Sequence, residues 1–216
     1  TGGSFGDDDY MWMKNYLQLD GMVYKLVPVK TPIPKDGSPL DMGQIDTDKM
    51  YTIVTKWDWG NSESPHIYHD PETRKNSISY RTNLARLMEQ LINEGKPEKA
   101  KKIINLAMQK MPLEYYGYYT MVEPFAGGYY EVKEKQKARA LLTQLMQKYQ
   151  ENLKYYNTLD AYGQNALYSD IVTDIERYRG LLQVMKDRGD NEFYEKNKIT
   201  FNSYNKMFKR FDRDNE

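Results

Sequence analysis

From Thr73 onward, Pro and Gly become sparse and apolar residues recur at three- and four-residue spacing. This periodicity constrains the fold more than any other feature, because only an amphipathic helix places such positions on one face. Ile78, Leu84, Leu87, Met88, Leu91 and Ile92 share a first stripe. The segment EGKPEK (Glu94 to Lys99) then makes a tight turn, with Pro97 suited to the first turn of a following helix. Ala100, Ile103, Ile104, Ala107, Met108 and Met111 form a second stripe, and Pro112 stops it. Two facing stripes joined by a short turn predict an antiparallel helix pair.

This pair resembles the tetratricopeptide repeat, a helix pair of about 34 residues with large residues on its first helix and small ones on its second. Leu84, Leu87, Met88 and Leu91 take the first-helix positions, and Ala100, Ile104, Ala107 and Pro112 the second. Ala at the crossing points lets two helices approach closely while the bulky residues fill the space beside them. Met88 stands where the pattern usually has Gly. A second copy is expected at Tyr118, Met121, Val122 and Phe125, followed by Ala138, Leu142 and Leu145, with four extra residues in a turn near Gly127–Tyr130. Pro124 is expected to bend or shorten its first helix, and the second helix runs on towards Tyr156. A third, degenerate copy has Tyr178, Leu181, Leu182 and Met185 before the turn DRGDNE, then Phe201, Tyr204, Met207, Phe208 and Phe211. A degenerate last unit suits an end cap, which meets a neighbour on one side only. The expected fold is therefore mainly α: a tetratricopeptide-like α-α superhelix of about three helix pairs over residues 73–216.

Residues 1–72 read differently. A short helix is expected from Tyr10 to Leu19, a strand in GMVYKLVPV (Gly21 to Val29), a Pro-rich loop over 30–47 and a second short helix from Asp48 to Trp57 capped by Asp46 or Thr47. This irregular segment is expected to pack on the repeats.

Composition narrows the function. Lys+Arg and Asp+Glu are both 31, and no basic stripe stands out, which argues against a nucleic-acid partner. The absence of Cys excludes disulfides, thiol nucleophiles and thiolate metal sites. No apolar run reaches the roughly 18 residues a spanning helix needs, so no direct membrane insertion by this segment is expected. Signatures of common hydrolases, nucleotide binders and zinc proteases are missing, and no cofactor is expected. The chain opens on Thr1 rather than Met, as a piece of a longer protein would.

Five segments in order, YLQLDGMVYKLVPV, KWDWGN, RKNSISYRTNLARL, YYGYYTMVEPFAGGYY and TDIERYRGLL, carry a second resemblance over about residues 10–182. They resemble the C-terminal soluble part of a family of large polytopic bacterial membrane proteins of unknown function. That family looks related to membrane-embedded protein O-mannosyltransferases. The resemblance implies a periplasmic, extracytoplasmic module tethered to a membrane glycosyltransferase-like protein. It implies no catalytic residue here, since in such enzymes the catalytic carboxylates belong to loops of the membrane part.

Six Tyr within Tyr115–Tyr130 are the most unusual local feature. Aromatic faces with hydroxyl tips suit sugar rings or extended peptides, and equally the core of a helical repeat. Of these, Tyr116, Tyr119, Tyr129 and Tyr130 are expected to be more exposed than Tyr118 and are the candidate ligand contacts. Arg81 is a candidate for meeting a carboxylate in a groove. Trp59 is a candidate stacking residue, although anchoring of the N-terminal segment by Trp57 or Trp59 is the stronger expectation. His66, His69 and Asp70 in HIYHD have the spacing of metal ligands, but the flanking Pro65 and Pro71 make a solvated loop the default and no metal site is assigned. The resulting expectation is a non-catalytic binding or scaffold module. It would engage a peptide, a protein partner or its own membrane domain. A carbohydrate-binding module or a structural cap are the alternatives.

Overall fold

The computed structural model describes residues 13–30 and 43–211 and is mainly helical, with one small antiparallel sheet. The chain divides into two compact units, Thr1–Val122 and Glu123–Glu216. The change of sequence texture at residue 73 lies inside the first unit, because the residues before it pack on the helix that begins there.

In the first unit, a 3-10 turn at Lys14–Tyr16 leads into β1 (Leu17–Asp20), which pairs with β2 (Val23–Leu26) in the register Leu17↔Leu26. The expected helix over Tyr10–Leu19 is thus corrected: Lys14–Tyr16 make only a 3-10 turn and Leu17–Leu19 are strand, while Tyr10–Trp12 lie outside the described residues. The Gly21–Met22 turn explains it, since Gly21 has φ +74°, which a tight two-residue hairpin turn demands. Gln44 bridges to the other edge of β1 through Leu19 N–H to Gln44 O (2.8 Å) and Gln44 N–H to Leu17 O (2.9 Å). Helix α1 (Thr47–Val54) is capped by Asp46, whose side chain accepts from Lys49 N–H. Helix α2 (Pro71–Asn93) is capped by Asp70, which accepts from the N–H groups of Glu72 (2.9 Å) and Thr73 (3.1 Å), and Pro71 sits at the first turn. Helix α3 (Pro97–Lys110) returns along α2, burying Ala100, Ile103, Ile104 and Ala107 against Leu84, Leu87, Met88 and Leu91. Full burial of each of the six large side chains is worth about 1.5–3 kcal/mol, while Ala100 and Ala107 let the two helices approach closely. A one-turn helix α4 (Leu113–Tyr116) and a 3-10 turn at Tyr119–Val122 lie against α2.

The second unit begins with α5 (Glu123–Glu131), followed by α6 (Lys135–Asn157), the short α7 (Ala161–Ala166), α8 (Tyr168–Asp187) and α9 (Asn191–Met207). Pairs α5/α6 and α8/α9 pack on each other through α6 and α8, an arrangement compatible with a superhelix of helix pairs. Pro124 opens α5 instead of bending it, and Gly127–Tyr130 are helical, not a turn. The last helix buries Phe201 and Tyr204, with Phe208 just beyond it, while Met207 faces outward at 49% exposure.

The three pairs share one turn. Gly95, Lys133 and Gly189 all adopt left-handed backbone, with φ of 70°, 61° and 69°. After each, the next N–H reaches back five residues (Lys96 to Leu91, Glu134 to Tyr129, Asp190 to Met185), and the left-handed residue's own N–H reaches back three. This closes the first helix of each pair with the same Schellman geometry. The turns set the register. From Gly95 to Lys133 is 38 residues, so Leu84, Leu87, Met88 and Leu91 correspond to Val122, Phe125, Ala126 and Tyr129, all buried. The expected register through Tyr118 and Met121 is therefore corrected by one helical turn.

Candidate functional site

Trp57, Trp59 and Tyr80 form a three-ring cluster in the first unit, each ring half-buried. Trp57 and Trp59 stand 5.5 Å apart at 66°, Trp57 and Tyr80 5.4 Å at 80°, and Trp59 and Tyr80 5.7 Å at 52°. Edge-to-face contacts at these distances hold aromatic rings firmly. Trp57 lies so close under the hairpin turn that a Cβ at Gly21 would meet its ring at 2.7 Å. Asn83 of α2 donates to Gly21 O at 2.9 Å, and Arg86 donates to Gly43 O at 3.0 Å and to the Tyr24 hydroxyl at 3.4 Å. Trp57 is thus the anchor of the N-terminal segment, and Trp59 is the ring of the cluster farther from that duty.

Arg81 is fully buried. Its Nη1 donates to Gly117 O (2.5 Å) and Tyr118 O (3.3 Å), and its Nη2 to Met111 O (2.8 Å). Its Nε is buried without a hydrogen-bond partner. Burial pushes the guanidinium down to about 10, with the Tyr116 hydroxyl only partly offsetting it. Arg81 therefore braces the kink at Gly117 and Tyr118, whose φ values are 62° and 43°, instead of projecting into a groove. The expectation of an accessible Arg81 is corrected for that reason: the carbonyls left unpaired by the kink recruit it.

Tyr116 is buried at 6% exposure, and Tyr118 is exposed at 40%, the reverse of the expected order. Tyr116 stacks on His69 (4.5 Å, tilted) and lies 6.0 Å from the Arg81 guanidinium. Burial raises the Tyr116 hydroxyl, and a hydrogen bond with Ser62 partly offsets the shift. His69 is itself buried, its Nε2 3.0 Å from Ser62 O, whereas His66 is exposed. Asp70 is engaged as the α2 cap, so the three residues of HIYHD face different tasks. Among the described residues no group of three His, Cys, Asp or Glu is placed to hold a metal. Lys110 pairs with Glu63, and the Ser62 hydroxyl donates to Lys110 O at 2.7 Å.

Tyr119 is half-buried in the 3-10 turn. Tyr129 and Tyr130 belong to the second unit. Tyr129 is buried at 5% exposure because α5 turns it inward at the position equivalent to Leu91. Tyr130 donates to Asp190 Oδ2 at 2.8 Å. Asp190, buried at 1%, also accepts from Arg139 Nε (2.8 Å) and Nη2 (2.6 Å) and from Lys135 (3.0 Å). Arg139 above all holds the Asp190 carboxyl well below the usual range, and burial with the Asp190 contact raises the Tyr130 hydroxyl. Trp59, Arg81, Tyr116 and Tyr119 lie in one unit, Tyr129 and Tyr130 in the other.

Sequence reasoning missed two further features of the second unit. Glu123 accepts from the fully buried Tyr149 hydroxyl and pairs with Arg177 at 3.2 Å. Asp174 accepts from Asn152 (2.8 Å) and Tyr156 (3.2 Å). Burial raises both carboxyls. The signal was available: Tyr149, Asn152 and Tyr156 fall at helical spacing on α6, and Asp174 and Arg177 on α8.

Residues 1–49 match the model of TMEM260-associated domain 2. The matched stretch carries β1, β2 and the first residues of α1. It ties this part of the chain to a domain that accompanies a membrane-protein family. No curated protein and no solved structure matches the chain. Among the described residues, no helix is long and apolar enough to cross a membrane.

Proposed function

We propose that the chain is a non-catalytic binding or scaffold module of a larger membrane protein, presented on the extracytoplasmic face and engaging a peptide or partner domain. The observation that carries this reading is the half-buried Trp57–Trp59–Tyr80 cluster, fixed beneath the hairpin turn, with Lys56 and Asp58 exposed in the sequence beside its rings. Arg81 serves backbone carbonyls, Lys110 serves Glu63, and Asp70 serves a helix end. The cluster offers aromatic area, which gives contact at low entropic cost. The family match to residues 1–49 and the resemblance to the soluble part of a polytopic family support the membrane-protein context. A relation of the parent to O-mannosyltransferases, and tetratricopeptide ancestry of the helix pairs, belong to the same proposal.

Carbohydrate binding is the second reading, favoured by the partial exposure of three neighbouring aromatic rings, one with a hydroxyl tip. Tryptophan emission, followed while extended peptides or oligosaccharides are titrated onto the chain, separates the two. A shift with peptides that Trp59→Ala removes is expected. A shift with millimolar oligosaccharide alone would favour the carbohydrate reading. No shift with either would overturn both.

A further inference from the structure

The hairpin has one edge occupied and one edge open. In an antiparallel ladder, alternate residues turn their N–H and C=O groups to opposite sides. Leu17 and Leu19 of β1 turn theirs to Gln44, and Val27 N–H donates to Tyr16 O at 2.8 Å. The register Leu17↔Leu26 and Leu19↔Tyr24 then directs the N–H and C=O groups of Tyr24 and Leu26 to the far side of β2. Among the described residues, nothing pairs with that side.

The same edge is unusually apolar. Val23 is 57% exposed, Leu26 58% and Val29 60%. Lys25 and Lys30 are exposed between and beside them, whereas Asp20 at the hairpin end is neutralised by Lys49 at 3.2 Å. The free charge of the edge is therefore positive. Tyr24, on the face that Leu26 shares and opposite to Val23 and Lys25, is held by Gly43 and Arg86, which braces the strand. Pro28, which has no N–H to offer, limits the usable stretch to Val23–Val27. A ladder so short needs side-chain contacts as well, and Val23 and Leu26 supply them.

We infer that the open edge of β2 binds an extended, acidic-apolar peptide segment by strand addition. Main-chain bonds form at Tyr24 and Leu26. An acidic side chain of the peptide lies opposite Lys25, with a branched apolar residue two positions along it opposite Val23. This goes beyond the reading at Trp59, because it names a different surface and a defined partner chemistry.

The test uses the whole chain and a soluble hexapeptide, Thr-Val-Thr-Glu-Thr-Val, capped at both ends, whose Glu lies two positions from a Val on either side so that both share one face. Amide hydrogen exchange is followed residue by residue. Bound peptide is expected to slow exchange at Tyr24 and Leu26 at least tenfold while leaving Lys25, already turned to β1, unchanged. Lys25→Glu is expected to weaken binding roughly fivefold at low salt, an effect that 0.5 M NaCl removes. Leu26→Pro deletes one outward N–H and is expected to abolish binding; Val23→Lys, which leaves the backbone intact, is expected to weaken it as well. Unchanged exchange at Tyr24 and Leu26 with millimolar peptide would overturn the inference. So would equal binding by Lys25→Glu, or protection that grows with protein concentration and needs no peptide, which would assign the edge to a second copy. Loss of the Trp59 response with the β2 response intact would remove only the reading at the aromatic cluster.

Discussion

Asp190→Asn tests how the second unit is held together. Asp190 is 1% exposed and accepts four hydrogen bonds, two of them from the two-pronged Arg139 guanidinium. Stripping one partner from a buried ion pair costs about 3–5 kcal/mol when the other charge stays buried. Here the cations left behind can rehydrate, because the Arg139 side chain is 22% exposed and that of Lys135 52%. The expected cost of Asp190→Asn is therefore lower, about 2–3 kcal/mol. Arg139→Met leaves the buried carboxylate instead and should cost about 3–4 kcal/mol, moderated by Tyr130 and Lys135. Urea unfolding read from amide signals of residues 123–211 reports on this unit alone. With a slope of about 1.5 kcal/mol per molar for a unit of this size, the midpoint should fall by ~1–2 M. The double variant should cost at least about 1.5 kcal/mol less than the sum, because the two groups act as one. The sign of the pH dependence is fixed. A carboxyl held below its unfolded value contributes fully above about pH 4 and loses its contribution as pH falls through the folded value. The gap between wild type and Asp190→Asn should therefore close under strong acid. A midpoint shift under about 0.3 M for Asp190→Asn, or additive single costs, would refute the argument.

Other substitutions probe the remaining elements. Arg81→Met should cost about 1–3 kcal/mol, since losing charge-assisted bonds to Met111 O and Gly117 O outweighs relief of the buried charge; urea unfolding read at residues 111–122 checks it. Asp70→Ala should cost about 1 kcal/mol through loss of the α2 cap, seen as faster amide exchange at Glu72 and Thr73. Lys133→Gly should stabilise by about 0.5–1 kcal/mol, because Lys133 alone among the three turns bears a side chain in left-handed backbone; thermal melts decide it. Glu123→Gln should be neutral or slightly stabilising at pH 7. Its raised carboxyl favours folding below the unfolded value and loses that advantage as pH rises, so acidification should narrow the difference between the two proteins.

Helix pairs were legible because their apolar stripes are long and periodic: Leu84 to Leu91 and Ala100 to Ala107 are buried as their spacing requires. Asp46 and Pro97 likewise announce helix starts at the ends where they are found. The hairpin was half legible. Its second strand alternates, but Leu17–Leu19 also fit a helix face, and only the Gly21–Met22 turn decides between them. The tyrosines show why site residues were harder. A left-handed Lys is not a recognisable turn signal, so Gly127–Gly128 attracted the turn that Val132–Glu134 actually makes. That slip turned Tyr129 outward, whereas Tyr116 was hidden by the kink at Gly117 and Tyr118 and by His69, which local spacing does not reveal. Arg81 was misread because a buried cation that serves main-chain oxygens leaves no mark in the local sequence; its partners are 30 to 37 residues away.

The shared closing turn makes each helix pair a length-sensitive part. Inserting or removing one residue at Gly95, Lys133 or Gly189 would break the paired back-bonds that close the first helix and shift where the second begins against it. Inserting or removing an entire pair would leave every stripe in phase. Length variation in relatives should therefore come in whole pairs, or between them in segments such as Thr158–Leu167, and seldom inside the turns.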